Sequence, residues 1–199
     1  MDLRRFAPAT ARNRGPILAV LERVLPTTGT LLEVGAGTGE HAAFMAPHFP
    51  GIAWQPTDPD AEARASIDAW RAYARAPNLR PARELDASSS AWPVDHVEAI
   101  LAINVVHISP WPTTTGLFSG AGERLSEDGI FYLYGPYRIG GEHTAPSNVA
   151  FDASLRGRDP RWGIRDLEAL EEQAAAHGLG LRERVAMPAN NFSLIFARV

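Results

Sequence analysis

The densest cluster of chemically useful residues is Leu-Leu-Glu-Val-Gly-Ala-Gly-Thr-Gly-Glu-His at positions 31–41. Three glycines at alternate positions after an apolar run predict a buried strand, a tight turn and the start of a helix. The free N–H groups at a helix start favour a polar or anionic ligand. A bare turn, with glycine used only for its sharpness, is the alternative. A dinucleotide site would need Gly-x-Gly-x-x-Gly, and Glu40 occupies the place of its last glycine.

Two carboxylates further along the chain could bind a nucleoside. Asp58 follows the glycine segment by about twenty positions, where an acid can accept hydrogen bonds from both ribose hydroxyls. Asp86 could accept from an adenine amino group, with the Ala87 N–H serving a ring nitrogen. Both have simpler interpretations, because aspartate also starts turns and caps helices, here a short helix over 88–90.

Asn104 and His107 stand three positions apart at the end of the apolar run 97–105. In a helical turn they would share a face. Histidine titrates near neutrality, so His107 could take a proton from an incoming nucleophile. The alternative is a hydrogen-bonded structural histidine. We find no histidine and carboxylate cluster with ligand spacing, so no metal site is predicted.

Composition excludes several classes of protein. The 199 residues are 45% hydrophobic, which predicts one domain over 1–199. Cysteine is absent, which removes disulfides and thiol chemistry and fits a cytoplasmic location. Lysine is absent too, which removes Schiff-base chemistry and a P-loop. The net charge of −4 argues against a nucleic-acid partner, and no apolar run suggests a membrane span or secretory signal.

Strand patterns alternate with helical ones along most of the chain. The predicted strands are 30–34, 51–57, 80–85, 97–105, 130–134, 181–187 and 192–198. This order predicts an α/β fold with an open, mostly parallel seven-stranded sheet, a C-terminal antiparallel strand pair and helices on both faces. Ligands should bind at the carboxyl ends of the strands. We expect 1–28, which includes a helix, to cover those ends, and 135–162 to be an irregular lid or substrate loop.

Glu33 stands two positions before the first glycine, and the segment resembles the cofactor motif of class I methyltransferases that use S-adenosylmethionine (SAM). The whole chain is similar to an uncharacterised branch of that superfamily, the domain-of-unknown-function family that includes methyltransferase-like protein twenty-six. The similar blocks include Phe6-Ala7-Pro8-Ala9, Arg12-Asn13, Thr38-Gly39-Glu40-His41, Trp54-Gln55-Pro56-Thr57-Asp58, Ile103-Asn104-Val105-Val106-His107-Ile108-Ser109-Pro110-Trp111, Tyr134-Gly135-Pro136-Tyr137, Ser147-Asn148, Phe151-Asp152, Trp162-Gly163-Ile164-Arg165-Asp166 and Pro188-Ala189-Asn190-Asn191. Glu40 and Gly35 depart from the branch, which favours Gln and a small non-glycine residue there, but both move toward the general SAM motif.

The resemblance implies a Rossmann-like class I methyltransferase fold and SAM as cofactor, with S-adenosylhomocysteine (SAH) as product. The residues expected to bind the cofactor are Glu33, Gly35, Ala36, Gly37, Gly39, Asp58, Asp86, Ala87 and Asn104. The branch supplies no substrate. Its own polar and aromatic blocks make Asn13, Tyr137, Asn148, Trp162 and Arg165 the candidates for an acceptor pocket. Ordinary roles are open for three of them: a core anchor for Trp162, an ion pair for Arg165 with Asp159 or Asp166, and a turn for Asn148.

These observations predict a methyltransferase that transfers a methyl group to a small molecule by in-line displacement. His107 is the predicted general base and Tyr137 the second choice, although a thiolate acceptor would need neither. We expect a monomer or a homodimer. The alternatives are a regulatory or interaction protein that binds SAM or SAH without catalysis and, third, a nicotinamide oxidoreductase, which Glu40 disfavours.

Overall fold

A computed structural model describes residues 2–199. Its helices are α1 (Pro8–Val24), α2 (Glu40–Met45), α3 (Ala61–Ala74), α4 (Trp111–Arg124), α5 (Pro146–Arg158) and α6 (Leu167–Ala176). Its strands are β1 (Gly29–Val34), β2 (Ile52–Thr57), β3 (Val97–Ile103), β4 (Leu125–Gly135), β5 (Arg138–Ile139), β6 (Glu142–His143), β7 (Leu179–Met187) and β8 (Asn191–Arg198). No helix in this part of the chain is both long enough and apolar enough to cross a bilayer.

The main sheet has six strands in the order β2-β1-β3-β4-β8-β7, and β5 and β6 form a separate hairpin. Strands β1 to β4 are parallel, while β8 runs antiparallel to β4 and β7. This confirms the predicted fold class but not the count of seven strands. Segment 79–85 lies beside β2 and pairs with it only through two isolated bridges, at Leu79 and Arg83. Pro81 lies between them and has no N–H to donate, which prevents a continuous ladder.

The central strands are buried on both faces, as expected for parallel strands between helices. Alternate residues point to opposite sides of the sheet. Leu32 and Ile100 pack with α4 and α6 on one face, whereas Leu31 and Leu101 pack with α1 and α2 on the other. The two helix layers hold the sheet in place, and the polar residues of the site lie at its carboxyl edge.

Segment 135–162 was predicted to be irregular, and that prediction is wrong. It contains the β5–β6 hairpin and the whole of α5. The buried positions of α5 are Asn148, Asp152 and Leu155, which have helical spacing although two of the three are polar. The helix therefore has no hydrophobic period to detect. Whether this segment acts as a lid stays a prediction.

Candidate functional site

The carboxyl ends of β1, β2 and β3 open on a cavity of about 660 Å³, which we call the strand-end cavity. Its wall comes from the glycine segment, from Asp58 and Asp60 after β2, and from residues 85–87. The turn after β3 adds to this wall, and so do the lining residues Arg5, Ala63, Thr113, Asp159, Arg161 and Trp162. Gly35, Gly37, Asp58, Asp86 and Ala87, five of the predicted cofactor residues, all line this one cavity.

The glycine turn brings backbone to the wall of the strand-end cavity. Gly35 and Gly37 have φ values of +66° and +59°. A Cβ on Gly35 would lie 2.7 Å from Val105 Cγ2, whereas the space beside Gly37 is open, the nearest atom being 4.0 Å away. Gly39 serves the packing of α2 on α3, since its Cβ would lie 2.6 Å from Ile67 Cα. Neither Gly39 nor Ala36 lines the cavity.

Asp58 is 7% exposed, and its carboxylate braces the glycine turn. Oδ2 accepts a hydrogen bond from the Gly37 N–H at 2.9 Å, and Oδ1 accepts from the Asp60 N–H at 3.0 Å. Burial raises the pKa of Asp58, and the two backbone donors oppose that shift. Each carboxylate oxygen can accept further bonds. The side chain can therefore hold the turn and still accept from hydroxyls in the cavity.

Asp86 is exposed, and its Oδ1 accepts from both the N–H and the hydroxyl of Ser88, at 2.9 and 2.7 Å. Residues 87–90 form a turn and bends rather than the short helix that was the simpler alternative. The other carboxylate oxygen makes no hydrogen bond in residues 2–199. Asp86 is thus a turn residue that keeps a free acceptor at the cavity.

Glu33 lies beneath the glycine turn and does not line the strand-end cavity. Its Oε2 accepts a hydrogen bond from Trp54 Nε1 at 2.7 Å, which ties β1 to β2. Burial raises the pKa of Glu33 to about 7, and the nearby charge of Asp58 adds to the shift. In this geometry Glu33 supports the turn from below, whereas direct contact with a cofactor was predicted.

A second cavity, of about 390 Å³, lies on the other side of the turn that follows β3. We call it the amide cavity, because Asn13, Asn104, Asn148 and Asn191 line it. We call residues 104–109 the dividing turn, because Asn104 borders the amide cavity whereas Val105, Ile108 and Ser109 border the strand-end cavity. Consecutive residues thus face two different spaces.

Strained backbone is concentrated at the amide cavity. Asn104, Ala189 and Asn190 have φ values of 62°, 58° and 58°, and Arg75 is the only other non-glycine residue of the described chain with positive φ. Asn104 and Ala189 line the cavity, and Asn190 lies between Ala189 and another lining residue. Such conformations cost energy and cluster at functional sites. The Asn104 N–H donates to the Tyr134 carbonyl at 2.8 Å, which holds the strained residue in place.

His107 and Tyr137, the two predicted bases, are 0% and 1% exposed and line neither cavity. Their rings stack edge to face with centroids 4.9 Å apart. Burial lowers the pKa of His107 to about 3 and raises the pKa of Tyr137 well above its usual value. A base must reach its proton directly or through one water. This geometry therefore argues against both catalytic roles and favours the structural histidine.

Arg165 clamps the dividing turn to the loop that precedes α6. Its guanidinium donates to the carbonyls of Val106 and Ser109 at 2.8 and 2.7 Å, and to that of Arg161 at 2.9 Å. Its backbone N–H donates to His107 Nδ1 at 3.4 Å. Neither suggested ion pair forms, because Asp159 pairs with Arg161 and Asp166 with Arg138. Arg165 thus acts on the site by holding backbone and lines neither cavity.

The remaining acceptor candidates divide between the cavities. Asn13 and Asn148 line the amide cavity, and half-buried Trp162 lines the strand-end cavity. Sequence reasoning missed the other lining residues of the amide cavity, namely Ala9, Arg12, Tyr134, Pro136, Ser147, Phe151, Pro188, Ala189 and Asn191. All of these lie inside the blocks that carried the family resemblance, and that was the one signal that could have found them.

The first residues of the described chain form a strap along the rim of the strand-end cavity. The Arg5 N–H donates to Ser66 Oγ at 2.8 Å, and Trp70 Nε1 donates to the Arg5 carbonyl at 2.9 Å. The Ala7 N–H donates to Glu40 Oε2. Because the Arg5 side chain lines the cavity, the strap (residues 2–7) connects the wall of the site to α3. Its role as a cover stays a prediction.

Several solved structures with this architecture are methyltransferases. CalO1, a methyltransferase in calicheamicin biosynthesis in its SAH-bound form, matches with a TM-score of 0.72 and 18% identity over 96% of this chain and 55% of that one. An O-methyltransferase family 2 protein from Planctomyces limnophilus, in complex with apigenin, matches with a TM-score of 0.78 and 17% identity over 96% and 60%. The chain thus spans little more than half the length of these two proteins. The fold is that of the class I SAM-dependent methyltransferases.

The YcgJ protein of Bacillus subtilis has the same fold at nearly the same length. Its TM-score is 0.68 and its identity 15%, over 95% of this chain and 99% of that one. The family is shown by sequence. The model of the family described as "Protein of unknown function (DUF938)" matches residues 4–198, and the chain belongs to that family.

Proposed function

We propose that this protein is a SAM-dependent methyltransferase that acts on a small molecule. The observation that carries the proposal is the pairing of two cavities across the dividing turn, with Asn104 on one side and Val105 on the other. A methyl donor in the strand-end cavity and an acceptor in the amide cavity would meet at that turn. A protein that only binds SAM or SAH has no use for the second cavity.

The strand-end cavity fits SAM on its own chemistry. The missing Cβ of Gly37 leaves open space at the backbone, and the carboxylate of Asp58 retains capacity to accept from two ribose hydroxyls. Asp86 and Ala87 line the same space and suit the adenine. Four aspartates and two arginines line the cavity, a net negative wall that suits a cationic donor. When bound, SAM supplies an electrophilic methyl group on a sulfonium.

The protein's task in such a reaction is to align the acceptor and to exclude water. Asn104 is placed to hydrogen-bond the acceptor, because its amide makes no side-chain bond in the described chain and it lines the amide cavity. Burial raises the pKa of Tyr134, so its hydroxyl stays neutral and can donate to the acceptor. We propose no base, because neither cavity contains a histidine, and the reaction then suits an acceptor whose nucleophilic atom needs none.

Ligand binding tests the first half of the proposal. SAM and SAH should stabilise the protein against thermal unfolding, by about 2.7 kcal/mol at 100 times the dissociation constant, whereas NAD and NADP should not. Gly37→Ala should weaken SAH binding about tenfold or more, since its methyl group enters the cavity. Gly140→Ala is the matched control: Gly140 has the same φ of +59° and nothing within 4 Å of its Cβ position. A protein that SAM and SAH leave unchanged overturns the proposal.

Label transfer tests the second half. Methyl-labelled SAM and an extract of small metabolites should give a labelled small molecule with the wild type. Asn104→Gly, which tolerates the φ of 62° at this position, should abolish that transfer and leave SAH affinity unchanged, because Asn104 lines only the amide cavity. SAH binding without any labelled product would instead support the non-catalytic alternative. The cytoplasmic location stays a prediction.

A further inference from the structure

The charge of the amide cavity differs from that of the molecule. The chain carries a formal charge of −4, yet no aspartate or glutamate lines this cavity. Arg12 is its only formally charged residue. The guanidinium of Arg12 makes no salt bridge and no hydrogen bond within residues 2–199. An unpaired cation thus stands at the wall of a cavity that has no acid to neutralise it.

The neighbouring cavity has the opposite character. Asp58, Asp60, Asp86 and Asp159 line the strand-end cavity, against Arg5 and Arg161. An anion would therefore be attracted to the amide cavity and repelled from the strand-end cavity, and a cation would show the reverse preference. The charges of the two cavities thus favour an anionic ligand in the amide cavity and a cationic ligand in the strand-end cavity.

The rest of the wall indicates the body of the ligand. Phe151, Pro136 and Pro188 present apolar surface. Asn148 uses its Nδ2 to bond Thr144 Oγ1 and the Asn190 carbonyl, at 3.0 and 3.1 Å, which leaves its Oδ1 as an acceptor. The 390 Å³ hold about a dozen heavy atoms at roughly 30 Å³ each, the share of a water molecule in the liquid.

We propose that the amide cavity binds a small carboxylate with an apolar body, and that Arg12 pairs with the carboxylate. The inference rests on the proposed function in one respect, namely that the molecule carrying this carboxylate is the methyl acceptor. Arginine suits the role because its planar donors match the two oxygens of a carboxylate. The amide groups would then bind the neutral polar groups of the same molecule.

Matched probes test the charge requirement. The probes are the ortho, meta and para hydroxybenzoates and the corresponding hydroxybenzamides. Each acid differs from its own amide only in the carboxylate group. With saturating SAH present, at least one acid should bind the wild type about tenfold or more tightly than its amide in a calorimetric titration. Arg12→Gln should remove that preference and leave amide binding unchanged. Arg14→Gln is the control, because Arg14 also lies on α1 but stacks on Phe44 and lines neither cavity.

The outcomes separate this inference from the proposed function. Three results would overturn the inference. They are amides that bind as tightly as the acids, a preference for acids that survives Arg12→Gln, and no binding of any acid at millimolar concentration. Loss of the preference in Arg12→Gln but not in Arg14→Gln supports it. The proposed function fails separately, if SAH does not bind. If an acid binds through Arg12 but no acid or extract component ever accepts label from SAM, the carboxylate site stands and the methyltransferase proposal falls.

Discussion

The strand-end cavity and the amide cavity share the dividing turn but are built in different ways. The first takes its glycine turn and three of its four aspartates, Asp58, Asp60 and Asp86, from residues that follow β1, β2 and the segment beside β2, at one edge of one sheet. The second is assembled from α1, the end of β4, α5 and the link between β7 and β8. Sheet topology therefore determines the first cavity, whereas the second depends on how separate segments pack over the sheet.

This difference predicts how each cavity tolerates change. A substitution in the strand-end cavity acts on groups that the sheet holds rigidly, so its effect should stay local. The dividing turn belongs to both cavities, and a change there should affect the stability of the fold as well as binding.

The largest effect should come from His107, which anchors the dividing turn. Its pKa is lowered from 6.5 to about 3, because burial disfavours the charged ring. Between these two pH values His107 is protonated in the unfolded chain but not in the folded protein. Its contribution to the stability of the fold is therefore fully present above pH 6.5 and is lost as the pH falls toward 3. In the wild type, His107 should lower the unfolding free energy by about 3 kcal/mol as the pH falls from about 7 to about 4. His107→Asn should abolish that part of the fall. Urea denaturation at both pH values measures it.

A control separates this contribution from the other histidines. His41 is half-buried, and desolvation lowers its pKa to about 4, so part of the loss should persist in the variant. His96 is exposed, so His96→Asn is the control for the substitution itself and should leave the unfolding free energy at about pH 7 nearly unchanged. If the His107→Asn curve runs parallel to that of the wild type, the buried neutral ring described above is incorrect and the catalytic role becomes open again.

Arg165→Lys should give the next largest effect. Lysine cannot reproduce three bonds to the carbonyls of Val106, Ser109 and Arg161, because it lacks the planar fork. We expect a loss of about 2 kcal/mol in unfolding free energy and a severalfold loss of SAH affinity. Arg198→Lys is a matched control, since Arg198 donates to the carbonyls of Leu125 and Gly122 far from the site. It should lose stability but keep SAH affinity, and equal binding losses in both variants would refute the clamp.

Asp58→Asn should lower SAH affinity and also cost about 1–2 kcal/mol in unfolding free energy, because the asparagine NH₂ group meets one of the two backbone N–H donors. The asparagine oxygen can still accept from one backbone N–H, while the charged acceptor for the ribose hydroxyls is lost. Hydrogen bonds to charged groups contribute about 1.5–3 kcal/mol, so SAH affinity should fall about tenfold or more. Asp68→Asn provides the comparison, because Asp68 also accepts a backbone N–H, that of Ala82, away from both cavities. Calorimetry that finds SAH affinity unchanged in Asp58→Asn removes this residue from the site.

The smallest effect concerns the strap. SAH should slow proteolysis within residues 2–7, because Arg5 lines the strand-end cavity. Trp70→Phe removes the hydrogen bond to the Arg5 carbonyl and should speed cleavage there about two- to tenfold. Trp92→Phe removes a similar bond, to the Ser89 carbonyl, and should leave strap cleavage unchanged. A digestion pattern that SAH does not alter would contradict the cover role.

Sequence reasoning could locate the strand-end cavity because a general rule connects position to place. Asp58 and Asp86 follow segments that run side by side, so their carboxylates meet at one edge whatever the details of packing. The same rule gave a wrong expectation for His107, which was predicted to reach a ligand as a base. Its position after β3 placed it correctly at the sheet edge, but its burial depends on Tyr137 and on the Gly163–Arg165 backbone, which come from distant parts of the sequence.

The amide cavity was only partly predictable, for a related reason. Asn13 and Asn148 were found through family resemblance, which carries information on tertiary contacts that local patterns lack. Tyr134 looks like any apolar residue of a buried strand, and the helix that carries Asn148 buries polar residues and so shows no hydrophobic period. Geometry created by packing between separate segments leaves little trace in residue spacing.

Segment 79–85, which replaces the expected seventh strand, also bears on how the molecules behave at high concentration. An open edge strand presents unpaired N–H and C=O groups and can recruit a strand from another chain. Here the outer edge of β2 is covered by a segment that bridges it at two points, with Pro81 between them. The cover itself offers no continuous ladder, and at the opposite edge β7 carries Arg182, Glu183 and Arg184. Both ends of the sheet thus disfavour edge-to-edge growth, one through an irregular cover and the other through charged side chains, which protects the molecule against aggregation.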